Sequence, residues 1–242
     1  MLRWLKILAP ALALAALIFE VGCTSNDLAQ VRFVHAIQDA NALDIDINGT
    51  KEFQDVGFTN YLPASGYMGV PTGTVTVEGF SSGTTTEVFS ESGVKLSAAS
   101  QYTMVATGFD TSTSSVIILA PVDNNTTPAN GTINFRVIDA SPSGPTAADI
   151  YILQSQVQGL TPPATIAGLS YQQTSKYIPE PFNSNGGGYT IYVCAAGTTI
   201  PLFFQNIPVG SSNAGSIRTL ILTDQPNKDE LNPQFIVLHD LN

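Results

Sequence analysis

The chain repeats its own opening strand pair. Residues 31–47 read VRFVHAIQDANALDIDI, and residues 135–152 read FRVIDASPSGPTAADIYI. Arg32 aligns with Arg136, His35-Ala36 with Asp139-Ala140, and Asp44-Ile45 with Asp149-Ile150. The offset is 104 residues at the start and 105 at the end, so the second copy carries one extra loop residue. Each copy is an alternating strand, a short polar loop and a second alternating strand. In 242 residues this period implies two domains of ordinary sandwich size.

The rest of each copy reads as short strands between turns. Asn48-Gly49 is a hairpin signal, because both residues tolerate positive φ. Lys51-Glu52-Phe53 begins the return strand, and Thr74 to Glu78, Glu87 to Phe89, Tyr102 to Thr107 and Val116 to Leu119 complete the first copy. The second copy continues with Tyr189 to Cys194, Pro201 to Gln205, Arg218 to Thr223 and Phe235 to His239. No helical period competes with this pattern. Only 12% of residues are charged while 43% are hydrophobic, a composition that suits strands with Thr- and Ser-rich surfaces. The net charge of −10, with Lys and Arg scattered, removes the basic footprint that nucleic-acid binding needs.

The first 22 residues differ in kind. Arg3 and Lys6 precede an uncharged run, Ile7 to Phe19, of 13 residues. That is too short for a standard membrane span and suits the apolar part of a signal peptide. Gly22-Cys23 follows, a small residue before a cysteine. The arrangement resembles a bacterial lipoprotein signal, although Glu20 stands where an aliphatic residue is usual. The resemblance implies cleavage before Cys23 and acylation there, hence a membrane held through a lipid anchor; several acyl chains would make that anchor stable. Thr24 after the cysteine favours the outer membrane by the same resemblance.

The pattern Val31 to Ala36, Asp39-Ala40, Asp44 and Asn48-Gly49, followed by a Tyr and a Pro-x-Gly strand, resembles the DUF4397 family. The second copy matches it at Ala140-Ser141-Pro142 and Asp149 to Ile152, with Asp139 in place of His. The resemblance implies bacterial envelope proteins built of immunoglobulin-like repeats, with no assigned activity and no established catalytic residues. The expected architecture is therefore all-β: two tandem immunoglobulin-like antiparallel β-sandwich domains after an N-terminal signal helix. Its segments are a signal peptide over 1–22, a tether over 23–30, a first sandwich over 31–120, a linker over 121–132 and a second sandwich over 133–242. The linker is polar with two prolines, so a short, moderately stiff connection is expected.

Candidate chemistry is sparse. His35 ends a strand near Asp39, Asp44 and Asp46, but a metal site needs three or four converging ligands. The exchange of His35 for Asp139 between copies argues that both staple loop amides instead. His239 falls in a terminal strand, as an edge or surface residue. Ser90, Ser92 and Ser97 read as loop residues, and no Gly-x-Ser-x-Gly elbow is present. Cys194 in a strand suits a buried, inert thiol. Gly186-Gly187-Gly188 lacks the Lys and the following helix of a phosphate loop and reads as a hairpin tip. Asp44 and Asp46 share a strand face that is expected to be exposed, with a calcium contact as the sharper alternative. Tyr67 and Tyr177 are equivalent and suit a packing role; Tyr61 and Tyr171 are not in register and are placed at the surface, where they could meet a glycan. No catalytic residue, metal ligand or cofactor is assigned, and the ligand-binding residues are left open. The function expected is a structural or interaction role in the cell envelope with a protein or glycan partner; carbohydrate or polymer binding is the alternative, and a hydrolase the remote one.

Overall fold

The computed structural model describes residues 27–111, 115–154, 159–182, 187–210, 214–225 and 233–241. The segment expected to be a signal helix, and Cys23, lie outside the described residues. What is described is all-β, and it forms two units.

The first unit contains β1 (Ala29–Ala36), β2 (Leu43–Ile47), β3 (Thr50–Val56), β4 (Tyr61–Leu62), β5 (Met68–Val70), β6 (Gly73–Ser81), β7 (Glu87–Leu96), β8 (Gln101–Thr107) and β9 (Ile117–Leu119). One sheet runs β4-β1-β8-β9 with β5 also on β1, and the other runs β3-β2-β6-β7. They close on one core, in which Val31, Phe33, Tyr102 and Met104 of the first sheet meet Leu43, Ile45, Val77 and Phe89 of the second. The Asn-Gly turn joins β2 to β3 with φ of 51° and 74° at Asn48 and Gly49, as that dipeptide demands. Asn48 Oδ1 also accepts the Thr76 amide at 2.9 Å.

The second unit repeats this plan with β10 (Thr132–Asp139), β11 (Ala148–Leu153), β12 (Ile166–Leu169), β13 (Ile178–Pro181), β14 (Tyr189–Ala195), β15 (Pro201–Ile207), β16 (Ile217–Thr223) and β17 (Gln234–Leu241). Its sheets run β13-β10-β16-β17 and β12-β11-β14-β15. Phe135, Val137, Leu220 and Leu222 pack against Ile150, Ile152, Ile191 and Val193 between them.

Sequence alternation predicts antiparallel sheets, and most ladders are antiparallel. The exception is the same in both units. β1 runs parallel to β8, with Val31 opposite Tyr102, and β10 runs parallel to β16, with Phe135 opposite Arg218. A parallel pair needs a long crossover, and everything between the two strands supplies it. Ser90 and Ser92 lie within β7 rather than in a turn, because that strand extends to Leu96.

The two units also touch. Val34, Ala36 and Val105 of the first form one buried cluster with Ile138, Ala140, Ile221, Ile236 and Leu238 of the second. β1 is consequently buried on both faces, its alternation dividing residues between two interiors rather than between core and water. The same holds for β16, all seven of whose residues are buried.

Candidate functional site

The faces of β1, β8, β10 and β16 that turn away from the sandwich cores carry polar groups. Period-two alternation puts Arg32 beside Val34 and Ala36 on this face, and Arg136 beside Ile138 and Ala140. Both guanidiniums are buried, at 2% and 1% exposure. Arg32 reaches Asp240 Oδ1 at 2.5 Å and Thr103 Oγ1 at 2.8 Å. Arg136 reaches Asp123 Oδ1 at 2.6 Å, Thr219 Oγ1 at 2.9 Å and the Val122 carbonyl at 3.2 Å. Thr103 in turn donates to Asp123 at 2.7 Å, and Thr219 to Asp240. Tyr67 and Tyr177 lie over the two guanidiniums, 5.1 Å and 4.8 Å from Cζ to ring centroid. The Tyr67 hydroxyl donates to Asp123 at 2.7 Å, and burial beside that carboxylate raises its pKa strongly. Burial opposes charge on Arg32, but Asp240, Tyr67 and Asp123 outweigh it, and the guanidinium is held above its usual range.

This network crosses between the units. Residues 121–132 are stitched into it: Asp123 is buried, Asn124 donates its amide to the Tyr177 hydroxyl at 3.2 Å, and Asn125 Nδ2 bonds Tyr67 Oη and Gln101 Oε1, both at 2.9 Å. Tyr67 and Tyr177 have the packing role expected of equivalent residues, and their target is a guanidinium.

The second feature sits at the end of the repeated strand. His35 is fully buried. Its Nδ1 accepts the Ile37 amide at 3.2 Å, so Nε2 carries the proton and donates to the Asn41 carbonyl at 3.0 Å. Burial lowers its pKa to about 4. Asp139 does the same work with a carboxylate, accepting the Ser141 amide at 3.0 Å through Oδ1. Burial pushes it up to about 7, and the nearby Asp224 carboxylate adds to the rise. Amide stapling by this position in both copies is what the His-to-Asp exchange predicts. Asp39 bonds the Asp110 amide at 2.8 Å rather than turning toward His35.

The expected exposed face at Asp44 is corrected by the structure. Asp44 is fully buried. It pairs with Lys51 Nζ at 2.7 Å and accepts the amides of Asp55 at 2.9 Å and Gly83 at 3.2 Å. Its equivalent, Asp149, accepts the amides of Gly168 and Gly197, both at 2.8 Å. All four amide donors have φ between 56° and 77°, so each carboxylate fixes two left-handed positions, one at an irregularity in the neighbouring strand (Asp55, Gly168) and one in a turn (Gly83, Gly197). The calcium alternative loses its ligand, because both Asp44 oxygens are engaged. The Lys51 hydrogen bond, helped by the two amides, lowers the Asp44 pKa to about 2. Its contribution to stability is thus full above the usual carboxylate value and lost as pH falls toward 2. Asp44→Ala is expected to cost about 2 kcal/mol in urea denaturation at neutral pH, shrinking below pH 3; an unchanged midpoint at pH 7 would refute the stapling role.

The remaining candidates fall into place singly. Tyr61, expected at the surface, packs against the inter-unit cluster and has Arg32 5.9 Å from its ring. Tyr171 is likewise half-buried and hydrogen-bonds Thr107. Both rings are thus partly covered where the units meet. Cys194 is buried with Tyr151 and Tyr192, and burial raises its thiol pKa, as expected of an inert thiol. His239 is exposed on edge strand β17. The hairpin tip at Gly186 lies outside the described residues, with Gly187 and Gly188 inside. Among the described residues no three His, Cys, Asp or Glu side chains converge to hold a metal.

The sequence reading missed the arginines' partners. Asp123 and Asp240 lie outside the repeated motif, and their equivalence appears only when β9 is laid on β17. A signal existed: the near-continuous apolar runs Tyr102 to Thr107 and Ile217 to Thr223 are those of strands covered on both faces.

The sequence model of one family matches the chain. Its description is "Domain of unknown function (DUF4397)", and the match spans residues 29–151, from β1 through the linker into β11, so it includes the first copy of the opening motif and all but the last residue of the second. No curated protein matches the chain.

Proposed function

The chain belongs to the DUF4397 family, and from that premise we propose that it is a non-catalytic component of the cell envelope, held to a membrane through lipid on Cys23 and acting by contact with an envelope partner. The observation that carries the interaction role is the edge of the second unit. There β15 presents Leu202 and Phe204, each 48% exposed, in line with Ile200 at 76%. The equivalent edge, β7, carries Glu87, Glu91 and Lys95 and bends at Gly93. Charge and irregularity protect an edge from pairing; an uncharged apolar edge invites it. The recurrent charged side chains support the non-catalytic reading, since they are committed to loops and to the union of the units.

The anchor is tested by palmitate incorporation in cells. Labelling is expected in the wild type and lost in Cys23→Ala; equal labelling refutes the anchor. The edge is tested by in-cell crosslinking. Leu202→Asp with Phe204→Asp is expected to remove crosslinked species that the wild type forms, and an unchanged pattern refutes the edge as the contact.

A second reading, binding of a neutral polysaccharide, is favoured by an open cleft of about 540 Å³ at the other end of β15, lined by Gln154, Tyr189, Thr190 and Asn206 among others. The named groups are uncharged and polar, which suits sugar hydroxyls. Loss of polysaccharide retention in Asn206→Ala would support it, and absence of retention by the wild type would remove it.

A further inference from the structure

The contact between the units is reciprocal. Arg32 of the first unit bonds Asp240 of the second, and Arg136 of the second bonds Asp123, which begins the linker but extends the first unit's sheet through its amide to the Gln101 carbonyl. Each arginine also takes the threonine of its own unit's parallel partner strand, Thr103 or Thr219. At the far end, Thr107 donates to the Ala140 carbonyl at 2.7 Å, and Thr223 donates to the Ala36 carbonyl at 3.2 Å. Alignment of β1 with β10 and β8 with β16 makes these contacts the two halves of one two-fold pattern. A residue i of one unit meets j of the other, and j of the first meets i of the second. That is the signature of an isologous, self-complementary interface, the kind that joins two subunits of a dimer.

The apolar part of the same face is not quite symmetric. The first unit offers Val34, Ala36 and Val105, and the second offers Ile138, Ala140 and Ile221. Two first units would leave the space of the missing methyl groups empty, and two second units would crowd it. The best fit for a first unit is therefore a second unit, and nothing in the contact requires both to belong to one chain.

We propose that this surface also joins two copies of the chain, the first unit of each docking on the second unit of the other in an exchanged dimer. The dimer keeps every inter-unit contact of the monomer, doubled. What favours the monomer is the linker, which holds the units at an effective concentration of about millimolar. Membrane anchoring is not required for the exchange, so the test uses chains beginning at Thr24 and leaves the reading of Cys23 untouched.

Deleting Thr126 to Ala129 removes about 13 Å of reach from the linker while sparing Asp123, Asn124 and Asn125. The shortened chain is expected to run at twice the monomer mass in light scattering. Adding Arg136→Ala to it is expected to return the mass to that of a monomer with strand circular dichroism retained. A shortened chain that stays monomeric, or a dimer indifferent to Arg136→Ala, overturns the proposal. Should the shortened chain not fold, the unaltered chain decides. Refolded near the linker's effective concentration and then diluted, it is expected to contain a dimer that samples refolded at micromolar concentration lack; no dimer in either overturns the proposal.

Discussion

Arg136→Ala is expected to lower the stability of the chain by about 3–5 kcal/mol, the usual cost of leaving a buried charge without its partner. The substitution takes from Asp123 Oδ1 its 2.6 Å donor, from Thr219 Oγ1 two bonds, and from the Val122 carbonyl one. Asp123 keeps the hydroxyls of Thr103 and Tyr67 on its other oxygen. The charged neighbour that remains is Arg32, 3.7 Å from Oδ2 and itself bonded to Asp240, so the close partner of a carboxylate whose side chain is fully covered is not replaced. The charged pair itself adds little net stability, since desolvation offsets most of its attraction. The double variant Asp123→Asn with Arg136→Met is accordingly expected to recover half or more of the loss, which a double-mutant cycle measures. Arg136→Ala is also expected to change the shape of the calorimetric transition. Each unit has its own core, and the described coupling between them is the cluster around Ile138, the ionic network and a few hydrogen bonds such as Thr107 to Ala140 and Thr223 to Ala36. Weakening that coupling should split one transition into two. A cost under about 1 kcal/mol, typical of exposed ion pairs, would mean that water reaches the network and that the units are not joined through it.

This coupling was the part of the molecule least visible in the sequence. Alternation in β1 and the Asn48-Gly49 turn were enough to predict strands and hairpins, because both are local properties of the chain. The doubling of the motif predicted two sandwiches. Alternation says which residues share a face, however, and not what that face meets. Alternation puts Arg32 and Val34 on one face of β1, but an arginine beside an apolar residue reads as a solvent face unless a second surface is known to cover it. Asp44 reads as exposed for a related reason: its partners are Asp55, at an irregularity within β3, and Gly83, in the turn after β6, and the approach of both depends on sheet closure. His35 and Asp139 were read correctly because both bonds are made to the residue two positions on, within reach of sequence alone.

Those two residues give the second large effect, and its sign reverses between the units. His35 has a folded pKa of about 4 against 6.5 unfolded. Its contribution is fully present above 6.5 and lost as pH falls toward 4, a change of about 3 kcal/mol at 1.36 kcal/mol per unit. Asp139 has a folded pKa of about 7 against 3.8 unfolded. Its contribution is fully present below 3.8 and lost as pH rises through 7, a change of about 4 kcal/mol by the same conversion. Acid therefore strains the first unit's loop and relaxes the second's. His35→Asn keeps an acceptor for the Ile37 amide and cannot protonate; its stability relative to the wild type is expected to improve steadily from pH 7 to pH 4. Asp139→Asn keeps the acceptor for Ser141, and its relative stability is expected to improve from pH 4 to pH 8. The slope against pH is the readout, since either amide alters the absolute level through its NH2 group. Parallel slopes in the two variants would refute the linkage, because a shared global charge effect moves both in the same direction, whereas burial of a base and burial of an acid at equivalent positions must move them oppositely.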